Sequence, residues 1–153
     1  RVKAAKANDS ALRINEVVAE NKSTAKDPQG DFADYIEIVN TSDSEVDLSG
    51  KFLTDSEKNP RKWKFPKGTK IAAGARLVIW ADENGKAKDG LHTNFKLDKS
   101  GETIQLIDSD SAGNLILDSV EFAKLGTDQA LRRVPDGSGD LREGKPSPGQ
   151  ANK

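Results

Sequence analysis

At 153 residues the chain has room for one domain with a sizeable core. Its 24 basic and 25 acidic residues leave a net charge of −1, so no overall field draws it to nucleic acid or a membrane surface, and such a partner needs a local cluster. The absence of Cys excludes disulfides, thiolate catalysis and Cys-ligated metals, and no apolar run is long enough for a transmembrane helix.

A chain that opens on Arg1 and contains no Met reads as a processed or excised piece. Residues 1–11 show no apolar period and read as a flexible N-terminal linker. From Leu12 onward short runs of β-formers alternate with Gly, Pro, Asn and Asp clusters, which is the all-β pattern. Leu12 to Ala19 is the first predicted strand, with Leu12, Ile14 and Glu16 on one face. A polar loop spans Asn21 to Asp31. Tyr35 to Asn40 then alternates with Ile36 and Ile38 on one side and Tyr35, Glu37 and Val39 on the other, as a central strand does.

After a turn at Thr41 to Ser44 come Val46 to Leu48 and Phe52 to Thr54. Trp63 and Phe65 alternate with Lys62 and Lys64, an aromatic inner face backed by a basic outer one. Pro66 to Gly68 and Ala73-Gly74 are turns. Arg76 to Ala81 is the most apolar strand and the expected centre of the core. Asp82 to Gly90 reads as a solvent loop, Phe95 to Leu97 as a short strand and Thr103 to Ile107 as a longer one. Asp108 to Asn114 is a hairpin turn into Leu115 to Phe122, and Ala130 to Val134 is the last run. The Pro- and Gly-rich stretch 144–153 reads as an irregular tail. Eight to ten short strands over residues 12–143 predict one antiparallel β-sandwich or barrel.

The chemistry-bearing residues offer no catalytic constellation. His92 is the single His, near Asp89 and Asp98, but no Ser stands in a nucleophile context, and the expected role is a loop His bonded to backbone. Asp108, Asp110 and Gly113 begin like a calcium loop, yet Ala112 and Ser119 stand where ligands belong, so a hairpin turn is expected. Asp27, Asp31 and Asp34 form an acidic group in a solvated loop. No cofactor and no metal site is expected.

Basic residues concentrate in one window. Lys51, Lys58, Arg61, Lys62, Lys64, Lys67 and Lys70 face only Asp55 and Glu57, a local excess of +5. With Trp63 and Phe65 interleaved, this is the arrangement of a nucleic-acid face. Stacking needs exposed rings, however, and alternation points these rings inward. Lys58, Arg61, Lys62, Lys64 and Lys67 are the candidate contacts, with Arg132 and Arg133 extending the patch if the last strand lies alongside.

Trp63 to Ala81, with Pro66, Gly68, Ile71, Gly74 and Trp80 in their places, strongly resembles the lamin tail domain. Further pieces follow in order: Ile14 to Val17, Asp34 to Asn40, Leu48 to Gly50 with Leu53 to Asp55, Phe95 to Leu97 with Gly101 to Leu106, Arg133 to Gly137, and Ser147 to Asn152. The set is similar to the bacterial branch of that family, although Tyr35 stands where relatives often carry Trp, and no heptads precede it to support filament assembly. The resemblance implies an immunoglobulin-like sandwich, with Trp63 and Trp80 anchoring its core. It further implies a non-catalytic binding or tethering module within a larger, exported or envelope protein, meeting a protein, glycan or nucleic-acid partner through loops and sandwich faces. The competing expectations are a nucleic-acid-binding domain working through Lys51 to Lys70, accessory to a nuclease, and a calcium-dependent adhesion module working through Asp108 and Asp110.

Overall fold

The computed structural model describes residues 10–153, so the linker reading for residues 1–9 lies outside the described residues. Twelve strands run in order: β1 (Leu12–Val18), β2 (Tyr35–Asn40), β3 (Val46–Asp47), β4 (Phe52–Thr54), β5 (Trp63–Lys64), β6 (Lys70–Ile71), β7 (Arg76–Trp80), β8 (Leu91–His92), β9 (Glu102–Ile107), β10 (Ile116–Phe122), β11 (Ala130–Val134) and β12 (Asp140–Gly144). Six of them form one sheet in the order β12-β11-β1-β2-β7-β8. Four form the second, β10-β9-β4-β5, and β3 pairs with β6. Every pairing is antiparallel except β7 with β8. The result is the expected immunoglobulin-like β-sandwich. Among the described residues no helix is long and apolar enough to cross a membrane.

The two sheets share one core. Leu12, Ile14, Val17, Ile36, Ile38 and Ile79 face it from the larger sheet, and Leu53, Ile104, Leu106, Val120 and Phe122 from the smaller. Alternation places Ile36 and Ile38 inward, as expected of β2. β1 departs from simple alternation. Its register with β2 shifts between Ile14 and Glu16, so Asn15 is an extra residue and the faces exchange beyond it. Val17 therefore enters the core while Glu16 turns to the outer face, contrary to the expectation that Glu16 follows Leu12 and Ile14. Asn15 is held in this bulge by its side chain, which donates to Glu37 and Asp136 and accepts from Gly137 N–H.

Further differences follow from pairing partners distant in sequence. Trp80 does not join the main core. It packs on the outer face with Tyr35, Val18, Ala33 and Ala130, its ring edge-on to Tyr35 at 5.8 Å, because Ile79 takes the inward position. β7 is second from the sheet edge, and β1 and β2 occupy the centre. Phe95 and Leu97 are core residues in irregular backbone with a single bridge from Lys96 to Asp82, while the short strand forms earlier, at Leu91–His92. β12 folds back on β11 after the turn at Pro135 to Gly139.

The stretch after β12 is irregular in backbone but docked. It covers the outer face of β1 and β2, where Glu16 and Glu37 stand opposite one another, both buried. Ser147 donates to Glu16 from its N–H (2.9 Å) and hydroxyl (3.1 Å), and Gly149 N–H donates to Glu37 at 2.7 Å. Asn152 N–H donates to Asp136, and its amide reaches the carbonyls of Asn15 and Arg133. The Tyr35 hydroxyl donates to the other Glu16 oxygen. Two buried acids are thus supplied with donors by the last residues of the chain.

Candidate functional site

The basic window comes together much as its pattern suggests, but most of its charge is already matched. β5 is an edge strand of the smaller sheet. Phe65 is buried and Trp63 half-buried against the core, their rings edge-on at 4.8 Å, so neither offers a stacking face. Lys51 pairs with Asp108 (2.7 Å), Arg61 with Asp110 (2.9 Å), Lys62 with Asp55 (2.6 Å) and Lys70 with Glu45 (3.9 Å). Counting Asp108, Asp110 and Glu45 lowers the local excess from +5 to +2. Lys58, Lys64 and Lys67 are exposed with no ion pair among the described residues. Phe52 lies on the outer face, but Arg61 and Lys64 sit over its ring at 5.7 and 5.9 Å and cover it.

Arg132 and Arg133 do not extend this patch. β11 lies in the other sheet, where Arg133 Nη2 donates to both oxygens of Asp118 at 3.1 and 3.2 Å and Arg132 bonds the carbonyl of Lys153. The calcium-like stretch is a hairpin turn between β9 and β10. A single 3-10 turn at Asp110–Ala112 ends on Gly113 in the left-handed region, and Asn114 ties it by donating to Asp108 and Asp110.

A second constellation sits at the loop end of the sandwich. The segment between β1 and β2 folds over the ends of β7 and β8 and is fixed from within. The buried Asn21 amide donates to the carbonyls of Ala25 (2.6 Å) and Ala33 (2.7 Å), and its oxygen accepts from Thr24 N–H. From beyond β10, Asp128 accepts the N–H groups of Lys22 and Ser23 and the hydroxyls of Ser23 and Thr24. Desolvation works against this carboxylate's charge, but those four bonds outweigh it and hold Asp128 well below the ordinary Asp range.

Between this loop and residues 81–84 lies an open cleft of about 570 Å³, lined by Asp27, Asp31, Asp34, Asp82 and Glu83 with Lys96 as its one cation among the described residues. Phe32 stands in its wall, 44 % exposed, the one large apolar side chain left so among the described residues. Burial pushes the Asp34 carboxyl up to about 6, with Glu20 and Asp82 adding to the rise and the Asn21 N–H opposing it. In the adjoining hollow, burial together with Asp55 and Asp98 lifts Glu102 to about 7 against the Asp98 N–H.

His92 belongs to this end, on β8 rather than in a loop. Nδ1 lies 2.8 Å from Asp82 Oδ2 and Nε2 lies 2.9 Å from the carbonyl of Asp89. The backbone bond was expected; the Asp82 contact was not, since Asp89 and Asp98 were the nearer carboxylates in sequence. Asp27 stands within 4.8 Å of both Asp82 and His92. Asp27 and Asp31 were legible as a loop acidic group, whereas Asp82 and Phe32 carry no local signal, because the loop crossing that assembles them is non-local.

Two facing, mainly antiparallel sheets around a shared aliphatic core define an immunoglobulin-like domain. The chain belongs to the lamin tail domain family, whose model matches residues 5–124. No curated protein matches the chain. β11, β12 and the docked tail lie beyond the matched span, although they complete the larger sheet and cover its outer face.

Proposed function

We propose that this domain is a non-catalytic docking module whose working surface is the carboxylate cleft, and that its partner is a protein presenting an exposed Lys- or Arg-rich segment. The observation that carries this reading is the placing of exposed Phe32 among Asp27, Asp31, Asp34, Asp82 and Glu83. Carboxylates attract a cationic segment from solution, and the face of a ring accepts its side chains at close range. Lys26 already uses Phe32 in that manner, at 5.4 Å. The same carboxylates repel phosphates, and the loop scaffold held by Asn21 and Asp128 keeps the cleft preformed.

The test is fluorescence anisotropy with a labelled peptide of alternating Lys and Arg. Phe32→Ala and the pair Asp31→Asn with Asp34→Asn should each weaken binding about tenfold, the equivalent of about 1.4 kcal/mol. An equal charge loss on β12, Asp140→Asn with Glu143→Gln, should leave it unchanged. Equal weakening by both pairs, or a cleft that takes neutral oligosaccharides and ignores the peptide, refutes the reading.

A second reading rests on Lys64 and Lys67, which flank an open cavity of about 470 Å³ with Ser49, Gly50, Phe65 and Pro66 at the β5 edge. With Lys58 they form an unpaired basic edge suited to a nucleic-acid backbone. Affinity for a DNA duplex should then fall with log salt at a slope of about −3 and flatten when the three lysines are replaced by Glu. Salt-independent binding, or none, rejects it.

A further inference from the structure

Asp27, Asp82 and His92 come from three segments: the loop between β1 and β2, the end of β7, and β8. One candidate ligand atom from each lies within 4.8 Å of the others. Hydrogen-bond accounting shows why this is more than a group of acids. The His92 side chain is 2 % exposed. Its Nε2 faces the Asp89 carbonyl, which can only accept, so Nε2 carries a proton. Nδ1 lies 2.8 Å from Asp82 Oδ2, a second acceptor. That contact is a hydrogen bond or, with the proton displaced and the pair opened to about 3.3 Å, a shared metal ion.

The surroundings supply the outer contacts that a metal site needs. Asp82 Oδ1 accepts Asn84 N–H at 3.0 Å, leaving Oδ2 to the centre. Asp27, 5 % exposed, accepts the N–H groups of Gln29 and Asp31 through Oδ1, both at 2.9 Å. The Asp89 carbonyl that fixes the imidazole is itself held by the Gln29 amide at 3.0 Å. His92 and Asp82 are therefore each oriented by an atom other than the one they would give to a metal, and Asp27 is held in place through Oδ1. Gly90 is part of the construction, since a Cβ there would lie 2.9 Å from Pro28 and 3.3 Å from His92 Nε2.

No Lys or Arg pairs with Asp27 or Asp82 among the described residues, whereas Lys51 and Arg61 occupy Asp108 and Asp110. We infer that Asp27, Asp82 and His92 Nδ1 form a binding site for a divalent transition-metal ion, with water completing a four-coordinate shell. One imidazole and two carboxylates suit zinc or manganese, and the nitrogen ligand disfavours calcium and magnesium. The site shares Asp27 and Asp82 with the cleft, but the inference concerns an ion and is tested without the cationic peptide.

His92 is the single His of the chain, so its ring signals in a long-range proton–nitrogen NMR spectrum report on this site alone. Stoichiometric Zn²⁺ added to the metal-stripped protein should move the Nδ1 resonance while Nε2 stays protonated, and a chelator should reverse it. By calorimetry, Asp82→Asn and Asp27→Asn should each weaken Zn²⁺ binding about tenfold or more, while Asp108→Asn leaves it unchanged. Ring signals indifferent to Zn²⁺, binding that survives the Asp82 and Asp27 changes, or tighter binding of Ca²⁺ than of Zn²⁺ would each overturn the assignment. The wild-type spectrum decides the matter even if a variant fails to fold.

Discussion

Glu37 gives the domain a built-in dependence on pH. It is fully buried on the outer face of β2, opposite Glu16 and under Gly149. Burial above all, with the Glu16 charge, pushes its carboxyl from the ordinary 4.5 up to about 7, against the Gly149 N–H, the Asn15 amide and the Arg76 guanidinium. The folded state therefore binds this proton more tightly than the unfolded chain. Its stabilising effect is complete below the unfolded value of 4.5 and is lost as pH rises through about 7. At about 1.4 kcal/mol per pK unit, the rise from 4.5 to about 7 is worth about 3 kcal/mol. Glu37→Gln keeps the shape and the acceptor for Gly149 but has nothing to titrate. Urea unfolding followed by Trp fluorescence should show wild type losing about 3 kcal/mol more than the variant between about pH 4.5 and about pH 8. Asp34 and Glu102 are raised in the same direction and contribute a slope common to both proteins, so the difference isolates Glu37. Parallel stability curves for the two proteins would refute the reasoning.

Removing residues 145–153 takes away the tail's donors to Glu16, Glu37 and Asp136, leaving those from Tyr35, Asn15 and Arg76, and should cost about 3 kcal/mol or more, read as a lowered urea midpoint; an unchanged midpoint would mean that the tail is not part of the fold. Leu53→Ala deletes a fully buried side chain from the smaller sheet's inner face and should cost about 2–5 kcal/mol by the same assay. A loss below about 1 kcal/mol would contradict the placing of Leu53 at the centre of the core.

The sequence by itself determined the inward and outward faces of β2, the inward turn of Phe65 beside outward lysines, the hairpin at Asp108 to Asn114 and the family of the domain. The first three depend on residues adjacent along the chain, where a period of two or a turn residue acts whatever the rest of the fold does, and the family on an ordered set of such local pieces. Only the tertiary structure decided the rest. The Asn15 bulge reversed the faces of β1, since an extra residue is visible only against a partner strand. The lysine window lost most of its excess charge to Asp108, Asp110 and Glu45, which other strands and loops deliver. Asp27 reached Asp82 and His92 because a long loop folds back over two strand ends, held there by Asn21 and Asp128. Alternation along one strand carries no information about which distant segment will be laid beside it, and both candidate surfaces of this domain depend on that.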